Sequence, residues 1–162
     1  MRRPTLRGLA VAAVPLIATV FAAVVYLTLH RADRGVDDAA AAAAVAAART
    51  GTEQLLSYAP DTVEQDMAAA RSLTTGEFRT YYGRFADEVL VPAARDEGIT
   101  ATARVVDAAV SELGPEHAEV LVFLDTETAG RDRPEPARTA ASVLVRLDRV
   151  DGRWLIAALE PL

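Results

Sequence analysis

The chain has no cysteine, no lysine and no asparagine, and it has two histidines in 162 residues. Without cysteine, neither a disulfide framework nor a thiolate metal site can form. His30 and His117 stand far apart in unrelated contexts, so a histidine-based metal site or catalytic triad is not expected. Any chemistry would have to rest on carboxylates, tyrosines or arginine. The missing lysine and asparagine, set beside abundant alanine and arginine, read as the mark of a GC-rich coding sequence and carry no mechanistic meaning.

What the chain does have is one long uncharged run. Residues 9–29, LAVAAVPLIATVFAAVVYLTL, contain no charged side chain, and a helix needs about 20 mostly apolar residues to cross a bilayer. A cleaved signal peptide is the alternative, but its apolar stretch runs only about 7–15 residues. No small-x-small cleavage site follows at the usual distance, and Pro4-Thr5-Leu6 fits a twin-arginine signal poorly. The run is therefore expected to be a retained transmembrane helix after a cytoplasmic tail of residues 1–8. Arg2, Arg3 and Arg7 precede it, which places the N-terminus inside and the C-terminal domain outside the plasma membrane.

Charge divides at the same place. Residues 1–35 carry five arginines and one aspartate, a net of +4, whereas residues 36–162 carry 12 arginines against 22 acids, a net of −10. So acidic a domain repels phosphate backbones, and no nucleic-acid partner is expected.

Beyond the run, residues 30–50 are rich in alanine, the best helix former, and are expected to make a helical stalk. An α+β domain is expected over 51–162. Pro60 should break the first helix at Ala59. Thr62-Val63-Glu64-Gln65 and Thr74-Thr75-Gly76-Glu77 read as capping boxes that start two more helices. Phe78, Tyr81, Tyr82, Phe85 and Val89 follow the second box at helical spacing, one continuous face of core type. Gly98 should end the helical region.

From Ile99 the period becomes two. Strands are expected near 99–112, 117–128, 138–150 and 153–159, with a polar loop AGRDRPEPA at 129–137. Asp151-Gly152 is a two-residue hairpin signal. Counting back from it pairs Val150 with Arg153, Arg149 with Trp154, Leu147 with Ile156 and Val145 with Ala158. Trp154 then shares the core face of Leu147 and Ile156. Helices followed by an antiparallel sheet give an α+β fold with the helices on one sheet face.

LLSYAPDTVEQDMAAARSLTTGEFRTYY, VVDAAVSEL, VLVFLDTET and RPEPARTAASVLVRLDRVDGRWLI, preceded by a single span, together resemble the actinobacterial Mce-associated membrane proteins. These accompany mammalian-cell-entry (Mce) lipid transport systems. The resemblance implies a nuclear-transport-factor-two-like cone, with helices packed on a curved antiparallel sheet. It also implies a non-enzymatic accessory or stabilising role beside Mce-type transporter subunits or other envelope proteins, and it supplies no catalytic, cofactor-binding or metal-binding residue. Whether the domain forms a homo-oligomer stays open. The alternative is a cone that binds a lipid or small molecule, or a small enzyme built on a carboxylate and a tyrosine. Asp107, Asp125, Tyr81 and Tyr82 would be the candidates for that reading.

Overall fold

The computed structural model describes residues 38–162, of which Ala41–Leu162 form one compact unit. The span expected at 9–29 and the tail before it lie outside the described residues. Among the described residues, no helix is long and apolar enough to cross a membrane.

Helix α1 covers residues 38–56 and runs through the boundary expected at residue 50 without a break. Its inward face is Ala44, Ala48, Thr52 and Leu55, spaced by four, four and three as one stripe of a helix. Small side chains let the sheet come close. A Cβ on Gly51 would lie 2.5 Å from Ile156 Cδ1, a separation that only glycine permits.

Helix α2 spans Val63–Ser72 and α3 spans Gly76–Phe85. Neither start uses the capping box expected from sequence. Thr62 is the N-cap of α2, but its hydroxyl donates to Asp66 Oδ2 at 2.7 Å, and the same carboxylate accepts the Ala59 N–H at 3.3 Å. The turn is tied through Asp66 instead of Gln65. At α3 the N-cap is Thr75, one residue later than expected. Thr74 is fully buried, and its hydroxyl donates to the Arg71 carbonyl at 2.8 Å.

A π-helical turn, Ala86–Leu90, follows α3 and leads into α4, Val91–Glu97. Its cause is legible. Pro92 lacks an N–H, and its ring crowds the carbonyl four residues back, so the regular ladder cannot pass through. Gly98, at φ 66°, ψ 34°, ends α4 in the left-handed region as expected.

The sheet is an antiparallel meander of β1 (Thr100–Leu113), β2 (His117–Gly130), β3 (Arg133–Val150) and β4 (Arg153–Pro161), in that spatial order. The polar loop expected at 129–137 is instead a tight connection through Arg131 and Asp132, and β3 already begins at Arg133. Pro134 and Pro136 are tolerated because this part of β3 pairs with β2 alone; β4 joins β3 only from Val143 onward. At the far end, Asp151 and Gly152 have φ 51° and 78°, the geometry of a primed two-residue turn. The pairs Val150–Arg153, Arg149–Trp154 and Leu147–Ile156 form as expected. A bulge at Ala157 then shifts the register, so Val145 faces Leu159 and not Ala158.

The inner sheet face carries Val105, Val120, Val122, Leu124, Val143, Val145, Leu147 and Ile156, all buried under the helices. Trp154 joins this face half-buried, with the Arg149 guanidinium 5.8 Å from its ring centre. The sheet is strongly curved: Gly51 of α1 touches Ile156 on β4, while Arg49 and Glu53 of the same helix reach Val105 on β1, at the opposite edge. The architecture is thus α+β, with helices packed on a curved antiparallel sheet.

Candidate functional site

The aromatic stripe of α3 enters the core only in part. Tyr82 is buried at 6 % exposure, and Phe78 is half-buried beside it with ring centres 6.1 Å apart. Tyr81 is 57 % exposed, and Phe85 and Val89 are exposed as well. The π turn explains the end of the stripe. In such a turn, same-face positions recur at five residues instead of four, so Phe85 is continued by Leu90 and Val89 is turned to solvent.

In front of Tyr81 and Phe85 lies a cleft of about 540 Å³. Leu55, Leu56 and Tyr58 from the end of α1 and the residues after it form one wall. Phe78, Tyr81, Tyr82, Phe85 and Leu90 form another. Ala101 of β1, Thr126 and Thr128 of β2, and Leu159 and Pro161 of β4 complete the lining. The cleft opens where β4 ends and the β2–β3 hairpin runs on alone.

Tyr82 ties the site to the frame. Its hydroxyl donates to the Leu55 carbonyl at 3.0 Å and lies 3.3 Å from Met67 Sδ. Leu55 sits in the last turn of α1, where carbonyls lack intrahelical partners, so the phenol satisfies a group that would otherwise be stranded. Burial raises the Tyr82 pKa well above the ordinary 10.0, and the neighbouring Tyr58 raises it further. Burial raises the Tyr58 pKa too. Both phenols are therefore neutral and act as hydrogen-bonding and apolar groups.

The carboxylates singled out from sequence lie elsewhere. Asp125 is exposed opposite Arg104 on the outer sheet face, in alternation with buried Val122 and Leu124. Asp107 is exposed next to the β1 bulge, opposite Phe123, and its Oδ1 accepts the Ala108 N–H at 2.8 Å. The sheet therefore stands between both acids and Tyr82. Tyr81 and Tyr82 share a cleft, but neither aspartate joins them. Among the described residues, no group of three histidine, cysteine or acidic side chains is placed to hold a metal ion. Tyr58, Leu90 and Leu159 are among the lining residues that sequence reasoning gives no part in a site. The available signal was the uncharged Leu55-Leu56 pair and Tyr58 shortly ahead of the aromatic helix.

No family model matches the chain. The outer membrane protein Rv1973 of Mycobacterium tuberculosis is 45 % identical over 133 residues, 80 % of this chain and 82 % of that protein. The chain belongs to the family of that protein. Uncharacterized protein Rv1362c of the same organism is 51 % identical over 136 residues, 84 % of this chain. The chain spans only 62 % of the length of that relative.

Solved structures with this fold include the periplasmic domain of DotI, with TM-score 0.60, 12 % identity, and cover of 73 % of this chain and 91 % of that one. A periplasmic fragment of TraM gives 0.59 at 9 % identity, covering 72 % and 92 %. CagV, a VirB8 homologue of the Helicobacter pylori type IV secretion system, gives 0.59 at 11 % identity, covering 74 % and 96 %. At such identities the likeness is one of fold.

Proposed function

We propose that the chain is a membrane-anchored accessory factor, without enzymatic activity, that stabilises a cell-envelope lipid transport complex of the Mce type. The observation that carries this reading is kinship, along four-fifths of the chain, with a protein described as an outer membrane protein. A domain shared over that length with an envelope protein is best read as an envelope domain. The solved periplasmic domains show that the same α+β frame serves in that compartment. The sequence resemblance to Mce-associated proteins supplies the finer assignment and the nuclear-transport-factor-two-like description of the cone. In this reading residues 9–29 anchor the protein with its N-terminus in the cytoplasm, and the acidic domain meets transporter subunits in the membrane plane. Confinement there raises effective concentration, so modest affinities suffice.

Three measurements test it. A reporter active only in the cytoplasm, fused after Leu162, should stay silent; activity would invert the topology. Deleting the protein in its native host should lower the abundance of a transporter subunit. Asp107→Asn, Asp125→Asn and Tyr82→Phe should leave lipid uptake near wild type wherever the protein accumulates. Loss of uptake in either aspartate variant, with normal protein level and partner association, would replace the accessory role with a chemical one.

A further inference from the structure

The cleft beside α3 has a chemical character unlike that of the domain around it. None of its thirteen lining residues carries a charge, although residues 36–162 hold 22 acids and 12 arginines. An anionic headgroup would find no arginine in the lining to pair with, and a cation would find no carboxylate. The volume of about 540 Å³ falls within the ~300–1,000 Å³ of small-molecule sites. It is also larger than one protein side chain would fill.

The walls are equally specific. The rings of Tyr81 and Phe85 stack, parallel to within 4° with centres 6.3 Å apart, and both line the cleft. Leu56, Leu90 and Leu159 supply aliphatic surface around it. Of the five hydroxyls in the lining, Tyr82 donates to the Leu55 carbonyl and Thr126 to the Thr139 carbonyl at 3.2 Å, which leaves those of Tyr58, Tyr81 and Thr128 for a ligand's neutral polar end. Three hydroxyls are few beside the polar groups of a protein interface, which carries about one hydrogen bond per 100–200 Å², and the lining is otherwise apolar. It is drawn from α1, α3, the π turn and three strands, which enclose the hollow from several sides. Tyr81 and Phe85 remain open to water at 57 % and 38 %, a cost that an apolar occupant would remove.

We propose that this cleft binds the hydrocarbon chain of an uncharged lipid, with the ligand's neutral polar end at the mouth. The site selects against anionic lipids by offering no cation within an acidic domain, and it grips the chain between the aromatic wall and the leucines. This binding does not depend on whether the protein serves a transporter.

The test uses the full-length protein in phosphatidylcholine nanodiscs with a trace of monoacylglycerol that carries a diazirine on its acyl chain. Irradiation and peptide mapping should place the label on the segments containing Tyr81–Phe85 and Leu159. Excess mono-oleoylglycerol should compete at least tenfold better than oleate. Phe85→Glu should cut labelling at least tenfold while the unfolding midpoint shifts little. Leu56→Trp, which fills the cleft without adding charge, should lower labelling as well. If Phe85→Glu does not fold, Tyr81→Glu at the more exposed position gives the same reading. Label spread over other segments, equal competition by oleate, or labelling insensitive to these substitutions would overturn the proposal. If the wild type takes no label and Phe85→Glu instead lowers transporter-subunit abundance, the cleft is a protein-docking surface and the lipid assignment falls. A loss of labelling with unchanged subunit levels would support the lipid site and leave the accessory role to the deletion experiment, which tests it separately.

Discussion

The two ends of the inner sheet face meet different fates: one is apolar and sealed, and the other, where Thr126 and Thr128 continue the β2 face, borders the cleft. At the hairpin end, Val120, Val145, Leu147 and Ile156 are sealed at 1 % exposure or less. At the other end, Tyr81 and Phe85 face an unfilled cleft. Two features separate them. β4 is half the length of β3 and stops opposite Val143, so Thr126 and Thr128 lie beyond its reach. The π turn also swings Val89 outward and leaves Leu90 to continue the wall. Periodicity tells which residues share a face; whether that face is filled depends on the length of a neighbouring strand and the phase of a helix turn.

The comparison breaks first at the sealed end if it is wrong. Leu147→Ala should cost about 2–5 kcal/mol in chemical unfolding, since the site cannot collapse around the void. Trp154→Ala should cost less, about 1–2 kcal/mol, because the indole is only half-buried and its outer contact is the Arg149 guanidinium. A loss above the Leu147 value would mean that this end closes more tightly than its exposure indicates.

Tyr82→Phe should cost about 1–2 kcal/mol by stranding the Leu55 carbonyl. Its alkaline signature sharpens the test. A phenol whose folded pKa lies above its unfolded value of 10.0 contributes its full stabilisation below that pH, and the contribution is lost as pH rises above it. Wild-type stability should therefore fall more steeply than that of Tyr82→Phe above about pH 10, as followed by denaturant midpoints. Parallel curves would place the phenol in contact with water. Phe85→Ala, at the open end, should change stability by no more than about 0.5–1 kcal/mol. A cost near that of Leu147→Ala would show that the cleft is ordinary core.

Much of this fold is legible in local chemistry. The Asp151-Gly152 turn sets three cross-strand pairs, Gly98 ends the helical region, and the switch from helical to alternating spacing near Ile99 marks where the sheet begins. What local patterns do not encode is the outcome of competition at a distance. The bulge at Ala157 displaces the partner of Val145 by one residue, and nothing in the turn at Asp151-Gly152 announces it. Thr74 loses its capping role because the chain beside it is drawn to β4. Pro134 and Pro136, loop signals in isolation, are admitted to a strand because one side of that strand has no partner. The cleft is half legible: its tyrosines stand out in the sequence, but beside acids that the sheet keeps on its far side.

The ends of the hydrogen-bonding ladder have a consequence of their own. A sheet with open margins is a template on which another chain can grow. Here the β1 margin is occupied by α1 and the turn after it. Tyr58 exchanges two backbone bonds of 2.9 Å with Ala101, Ser57 accepts the Ala103 N–H, Glu53 accepts the Val105 N–H, and Arg49 donates to the Val105 carbonyl. On the β4 margin, Ile156 gives its N–H to Leu73 and receives that of Thr75. The start of β3, which pairs on one side only, carries Pro134 and Pro136, which cannot donate to an incoming strand. Side chains of one helix and the turn after it thus stand in for a fifth strand along the first part of β1, where an incoming chain would find the ladder already taken.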